Sequence, residues 1–530
     1  MCFVAALKAA TVSDLHPEVG MSTTRTKKAL ASSAPSSSVD EPVALVDSLL
    51  ELRQQVEKEG QERFDRWRPK LKGLAFRPGA LNMAHYLAFR KRDVRPLQDA
   101  LTPWGLSSLG RSEGRVLANL DAVLISLAGL TGRTDLQLPP RPKSTAFTLG
   151  ERLLARNTRL LFGRPPPGRD THIMVTLPEC ASEDGAFVES LVERGMSCAR
   201  INCAHGTHAE WVAMIHHVRA AARKLGRTCR VLMDLGGPRA RTGAVFARDG
   251  RRLLSGDSLL LRPSAPDPRI NEHPFQVQCL PAEIFPHLVT GTVLSIDEGR
   301  IRALVESVGE RGVLARVTRT PQGGVKLKPD KGLNFPGTVL GLAALTDKDR
   351  EDLDVVTANA DLIGYSFVQN ESDIETLWQE VEPRIARARR PLPGLILKIE
   401  TEQAVHNMPG LMVAAAGRTS VGVMIARGDL AVEVGFQRLA ELQEELLWLA
   451  EAAYTPVIWA TQVLDSFVKK GTPSRAEISD VVMAQRAECV MLNKGDFLPE
   501  ALAIVDDVFR RMQGHQHKKT SRLRALGVWS

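Results

Sequence analysis

The sequence predicts an α/β protein: a closed (β/α)8 TIM barrel with an inserted small β-barrel lid domain and an α-helical N-terminal extension. Three observations carry that expectation. Beyond residue 170, short continuously apolar runs alternate with amphipathic helical stretches, and eight such runs occur. One interval, 244–330, breaks the rhythm with period-two alternation and Gly, Asp and Pro turns. From about Val43 to Leu130 the apolar spacing is helical instead.

In chain order, residues 1–42 come first. Their STTRTKKALASSAPSSSVDEP stretch is too rich in Ser, Ala and Pro to bury a core and is expected to be disordered, and the change of character near Met21 fits an alternative start there. Residues 43–165 are expected to form the helical extension. VDSLLELRQQVEKEG, NMAHYLAFRKRDVRPLQDAL and EGRVLANLDAVLISLAGL each place apolar side chains three or four apart. Pro- and Arg-rich segments at 138–143 and 163–169 read as linkers.

The barrel is assigned to 166–243 and 331–514. Its strands are expected at HIMVTL (172–177), SCARIN (197–202), RVLMDL (230–235) and DLIGYSF (361–367), then at GLILKIE (394–400), VGVMIA (421–426), PVIWAT (456–461) and ECVMLN (488–493). Continuous apolar strands separated by helices such as HAEWVAMIHHVRAAARKLG imply a parallel sheet buried on both faces. The inserted segment 244–330 contains GTVLSIDEGRIRALVESV and GVLARVTRT. An insert after the third strand would sit at the C-terminal rim, where such barrels do chemistry, and would close over substrate as a lid. Residues 515–530 form a basic tail.

Composition narrows the function classes. A chain of 530 residues has room for two to four domains, and 44% hydrophobic with 25% charged residues is a globular balance. No run of 18 or more apolar residues occurs, so no membrane span is expected, and MCFVAALKAA lacks the basic start and cleavage site of a secretory leader. The seven cysteines are scattered without a CxxC pair. That argues against a disulfide framework or zinc site and for a reducing cytoplasm. The net charge of +8 raises the question of nucleic acid, but dispersed basic residues and 5% aromatics offer few stacking platforms. A surface suited to phosphorylated anions is the simpler reading.

Polar residues at the C-terminal ends of barrel strands converge on one site. Here they are Arg200 and Asn202 on the second strand, Asp234 on the third, and Lys398 and Glu400 on the fifth. Arg427-Gly428-Asp429 follows the sixth strand and Thr461 ends the seventh. Lys398 and Glu400, two apart, point to the same face. Taken alone such a pair is usually an ordinary ion pair, but with Asp429 on the next strand it suits one Mg²⁺, which takes one or two protein carboxylates and leaves the rest to water and substrate. A lysine beside that ion would offset charge on a transferring phosphoryl group. Backbone N–H groups at Gly428 would hold a carboxylate. Arg200 and Arg241 suit phosphate, though a lone arginine is more often a solvated one. His205-Gly206 either caps the following helix or touches a nucleotide.

Taken in order, these segments resemble the pyruvate kinase family over about 171–512. GMSCARINCAHG looks like its GxNxARxNFSHG, LMDLGGPRARTG its LDTKGPEIRTG, IDEGRI its IDDGLI and KGLNFPG its KGVNLPG. LKIETEQAV, GVMIARGDLAVEV, PVIWATQVLDSF and PSRAEISDVVMA follow in the family's order. The resemblance implies phosphoryl transfer between phosphoenolpyruvate and ADP, giving pyruvate and ATP in glycolysis. Arg200 would grip the substrate phosphate and Lys398 the transferring group. Glu400 and Asp429 would hold Mg²⁺ or Mn²⁺, Gly428 and Thr461 would contact the enolpyruvate part, and Arg241, His205 and Lys331 would reach the nucleotide. Asn202, Asp234 and Leu235 match positions that bind a monovalent cation.

The departures matter as much. The family's cation-binding serine is Ala204 here, and Leu235-Gly236 replaces its Thr-Lys. Arg239 replaces the glutamate of GPE and resembles the basic residue of members that work without K⁺, so K⁺ is expected to be dispensable. The eighth-strand loop MLSGETAKG reads MLNKGDFLP, and the resemblance ends too near residue 530 for the family's C-terminal regulatory domain. A homo-oligomer is an open expectation. Two other readings remain: a Mg²⁺-dependent enolate lyase on a related barrel, and a non-catalytic relative with a regulatory role.

Overall fold

The computed structural model describes residues 41–521 except Lys72, Asn271 and Lys519. The stretch expected to be disordered lies outside the described residues up to position 40, as do Met21 and the tail from 522. Glu41 and Pro42 already belong to the first helix.

Eight parallel strands close into a barrel: His172–Thr176, Cys198–Asn202, Arg230–Asp234, Leu362–Tyr365, Gly394–Ile399, Val421–Ala426, Val457–Ala460 and Cys489–Leu492. Each pairs with its neighbours in the order of the chain, and the last returns to the first with His172 opposite Cys489. The apolar runs are continuous because both faces are dry. Leu395, Leu397 and Ile399 point outward into the layer beneath the helices, whereas Ile396 points inward with Met174, Cys198, Leu232, Met424 and Ile458.

The helix Ser144–Phe162, lying between the two expected linkers, plugs the N-terminal end of this cylinder with Leu161 and Phe162. Gly394 and Gly422 admit it: a Cβ at these positions would come within 2.7 and 3.0 Å of the Leu161 methyls.

Ahead of the plug, helices Glu41–Trp67, Arg77–Arg90, Arg95–Leu101 and Val116–Leu130 bury Leu49, Val56, Phe89, Leu120 and Leu124 together. Ala452, Trp448 and Leu449 of the barrel helix Phe436–Ala452 complete that core, so the extension is packed on the barrel. The periodicity of NMAHYLAFRKRDVRPLQDAL reads as one helix, but two form. Asp93 accepts the Arg95 N–H (3.1 Å) and Pro96 has no N–H to continue the first helix.

Between the third and fourth barrel strands lies a seven-stranded sheet running from Arg241–Ala247 to Leu333–Asn334, with its own core around Leu259, Phe275, Ile284 and Ile296. A bridge between Arg241 and Gly332 joins its two edges, so the sheet curls shut. The chain enters it through Pro238–Ala240 and leaves through 333–342, and these crossings touch where the Leu333 N–H donates to the Ala240 carbonyl (2.8 Å).

Candidate active site

The inward face of the barrel is apolar for most of its depth and turns polar at the C-terminal rim. Continuing the inward positions of each strand reaches Thr176, Arg200, Ser366 and Lys398, which line one cleft of about 330 Å³, and Asp234, buried beneath it. Period two thus carries Ile396, Lys398 and Glu400 to the same side of one strand.

Lys398 is 8% exposed, and its Nζ lies 3.3 Å from Asp234 Oδ1 and 3.1 Å from Glu400 Oε1. It also donates to Ser366 Oγ at 2.5 Å. Burial disfavours the ammonium, but the two carboxylates outweigh it and hold the Lys398 pKa above its ordinary value. Asp234 is wholly buried. Burial again opposes its charge, and Lys398 with Arg200 overcomes this and keeps the carboxyl below its usual range. Arg200 reaches Asp234 Oδ2 through Nε (2.8 Å) and Nη2 (2.5 Å), and Thr176 Oγ1 through Nη1 (3.0 Å). Gly364 makes the arrangement possible, since a Cβ there would sit 2.5 Å from Asp234 Oδ1.

Glu400 Oε2 accepts the Phe367 N–H (2.6 Å). Burial first, and then the like charge of Asp429, raise its pKa against the pull of Lys398. Two like-charged carboxylates facing one cleft favour a cation between them. Among the described residues no group of three or more His, Cys, Asp and Glu side chains could hold a metal. Glu400 and Asp429 therefore suit an ion that fills its remaining positions with water and substrate oxygens, as Mg²⁺ does.

Asp429 lies in the first turn of the helix Arg427–Val434, where Arg239 Nη2 pairs with its Oδ1 at 2.8 Å. Beside it, the Gly428 N–H donates to Thr461 Oγ1 (2.7 Å), so that amide is already committed, and Thr461 itself lines the cleft. Thr461 has φ +66°, rare for a β-branched residue. Arg427 holds this turn: it donates to the Ala460 and Thr461 carbonyls, pairs with Asp480 (2.6 Å) and lies over the Trp459 ring.

Other candidates spread along the cleft. Asn202 Oδ1 accepts the Ala204 N–H (3.2 Å), and the Leu235 carbonyl accepts the Ser366 hydroxyl (2.6 Å). Asp349 accepts the Gly236 and Gly237 N–H groups, which fixes the turn after Leu235. His205 faces the cleft with a pKa lowered by burial and then by Arg241 and Lys494. The helix after it is capped by Thr207 in a capping box with Glu210, so of the two readings left open for His205-Gly206 the capping one falls. Arg241 lines the cleft and pairs with Asp330 (2.7 Å). Lys331 stands apart from the cleft-lining residues, its ammonium 3.1 Å from Asp297. Thr176 and Ser366 escape sequence reasoning because a hydroxyl in an apolar strand is unremarkable. Their place across from recognised polar residues of the next strand is the signal that finds them: Thr176 is in register with Arg200, and Ser366 follows Tyr365, which is in register with Leu397 just before Lys398.

Residues 168–497, more than half the chain, match the family model for the pyruvate kinase barrel domain. "Pyruvate kinase 2" of Synechocystis is 34% identical over 360 residues, covering 66% of this chain and 57% of that protein. A pyruvate kinase of Agrobacterium vitis is 34% identical over 343 residues, covering 63% and 68%. A crystal structure of a pyruvate kinase from Cryptosporidium parvum superposes with a TM-score of 0.57 at 28% identity, over 65% of this chain and 69% of that one. The chain thus spans little more than half the length of the first of these relatives. A matching barrel model, relatives of one kind, and a closed parallel barrel with a cationic–acidic rim agree: the chain belongs to the pyruvate kinase family.

Proposed function

We propose that the chain moves a phosphoryl group from phosphoenolpyruvate to ADP, yielding pyruvate and ATP as in glycolysis, in the cytoplasm. One observation supports this above the others: a buried ammonium, Lys398, between two carboxylates, with Asp429 facing the same cleft.

Arg200 would bind the phosphate of phosphoenolpyruvate, its guanidinium already oriented by Asp234 and Thr176. Lys398 would sit against the phosphoryl oxygens as the bond to the enol oxygen breaks and the bond to the β-phosphate oxygen of ADP forms. Positioning and charge are most of what such a transfer requires. Glu400 and Asp429 would hold Mg²⁺ or Mn²⁺, which neutralises charge on the phosphates when bound. Thr461, which lines the cleft, would stand with its hydroxyl on the route by which the enolate carbon takes its proton. Arg241 and His205 would meet the nucleotide, and Lys331 would join them if the inserted domain closes.

Of the residues expected to hold a monovalent cation, Asp234 and Leu235 already have partners within the chain. Arg200 and Lys398 occupy Asp234, and Ser366 occupies the Leu235 carbonyl. Arg239, whose charge is expected to make K⁺ dispensable, lines the same cleft and pairs with Asp429. Activity without added K⁺ is the expected result.

The test is purified protein with phosphoenolpyruvate, ADP and Mg²⁺, with and without K⁺, followed for pyruvate and ATP. Equal yields of both without K⁺ support the proposal. Pyruvate-dependent carbon–carbon cleavage without ADP supports the lyase reading, and silence in both assays the non-catalytic one. Lys398→Met should lower kcat by at least about 10²–10³-fold, the loss seen when one preorganised charge-stabilising group is removed. An unchanged rate sinks the assignment.

A further inference from the structure

The crossings between barrel and inserted domain enclose a second cavity, of about 390 Å³, next to the cleft already described. That is within the size range, roughly 300–1,000 Å³, of sites that hold small molecules. Phe335, Leu340 and Leu342 form its apolar side, and Val339 at its wall is left 65% exposed. Opposite stands Glu433 of the helix Arg427–Val434, hydrogen-bonded to Asn334 of the returning crossing.

We propose that this crease is a binding site for a small apolar compound bearing one amine, its ring or alkyl body against Phe335 and Leu340 and its ammonium on Glu433.

The charge around the cavity favours that class. Glu402 and Glu433 both line it, and among its described lining residues Arg239 is the sole Lys or Arg, already committed to Asp429. Burial, the largest cause, with added repulsion from Asp429 and Glu402, pushes Glu433 up to about 7. A carboxyl so placed gains from an incoming cation or donor and loses from an anion.

The cavity also has something to report to. Arg239 and Phe367 line both spaces, and each holds one of the two carboxylates assigned to the metal: Arg239 grips Asp429 Oδ1, and the Phe367 N–H donates to Glu400 Oε2. A compound in the crease presses on both holders, so its binding and divalent-ion binding are coupled in either direction. This coupling rests on the metal reading above; the binding site itself does not.

Benzylamine and benzoate, alike in shape and opposite in charge, are the probes, titrated into the intact protein by calorimetry or saturation-transfer NMR. Benzylamine is expected to bind at least about tenfold more tightly than benzoate. Val339→Trp, which fills the cavity from its exposed wall, should weaken benzylamine about tenfold or more. Glu433→Gln should erase the preference for the amine. Circular dichroism verifies that both variants fold. No binding by the wild-type protein, or binding indifferent to both variants, overturns the site. Mn²⁺ affinity measured with and without benzylamine tests the coupling, and an unchanged Mn²⁺ affinity overturns that part. No readout uses turnover, so a protein that fails to make pyruvate leaves these outcomes intact.

Discussion

Lys398 and Thr461 show how single side chains at this rim are held before any substrate arrives. Lys398 has three oxygen partners, one on the third barrel strand and one just past the end of each of the fourth and fifth. Thr461 sits in a left-handed turn that Arg427 ties down from beneath. Local strain of this kind persists only where surrounding contacts over-determine it. Thr461→Val keeps the shape and the branched Cβ while removing the hydroxyl. It should lower kcat about 10²-fold, the scale of a lost proton-transfer partner, with a smaller rise in KM for phosphoenolpyruvate. Steady-state kinetics that show only the KM change would remove Thr461 from the chemistry. Lys398 and Glu400 were legible as residues because they interrupt an otherwise apolar run. Ser366 was not: its hydroxyl gains meaning only when folding brings Lys398 and the Leu235 carbonyl to either side of it.

At the scale of elements, the barrel depends on a helix that belongs to none of its eight units. Phe162 is fully buried inside the N-terminal mouth, and two glycines clear a path for its neighbour Leu161. Phe162→Ala should cost about 3–5 kcal/mol, the usual loss for a buried aromatic, measured by urea unfolding. A change below about 1 kcal/mol would mean that the interior closes without the plug. The eight strands were legible because burial on both faces writes itself as uninterrupted Val, Ile, Leu and Met. The helix Ser144–Phe162 left a weaker trace: its amphipathic pattern names a buried face but not the cylinder that receives it. The break at Asp93–Val94 was missed for a related reason, since helical periodicity continues across it.

For the molecule as a whole, the N-terminal helices and the barrel share buried groups. Asn82 donates to the carbonyls of Glu113 and Ala452, linking an extension helix to the barrel helix beneath it. Two buried histidines, one in each part, give the assembly a common response to acid. Burial lowers His85 to about 4 and His172 to about 3. Between about pH 6.5 and those values the unfolded chain takes up protons that the folded chain refuses, so stability falls as pH falls through that window. Urea midpoints at pH 7, 6 and 5 should decline, and should decline less in His85→Leu and His172→Leu. Parallel slopes in wild type and variants would show that neither histidine stays neutral when folded. Among the described residues no helix is long and apolar enough to cross a membrane.

By itself the sequence determined the barrel, the position of the insert and the polar strand ends, because burial, side-chain period and strand order are properties of local pattern. The tertiary structure alone decided which charges meet. Arg239 pairs with Asp429, Lys331 lies with Asp297 outside the cleft, and a second cavity opens where two distant crossings touch. Pairings of that kind depend on distances between segments far apart in the chain, and no local periodicity encodes them.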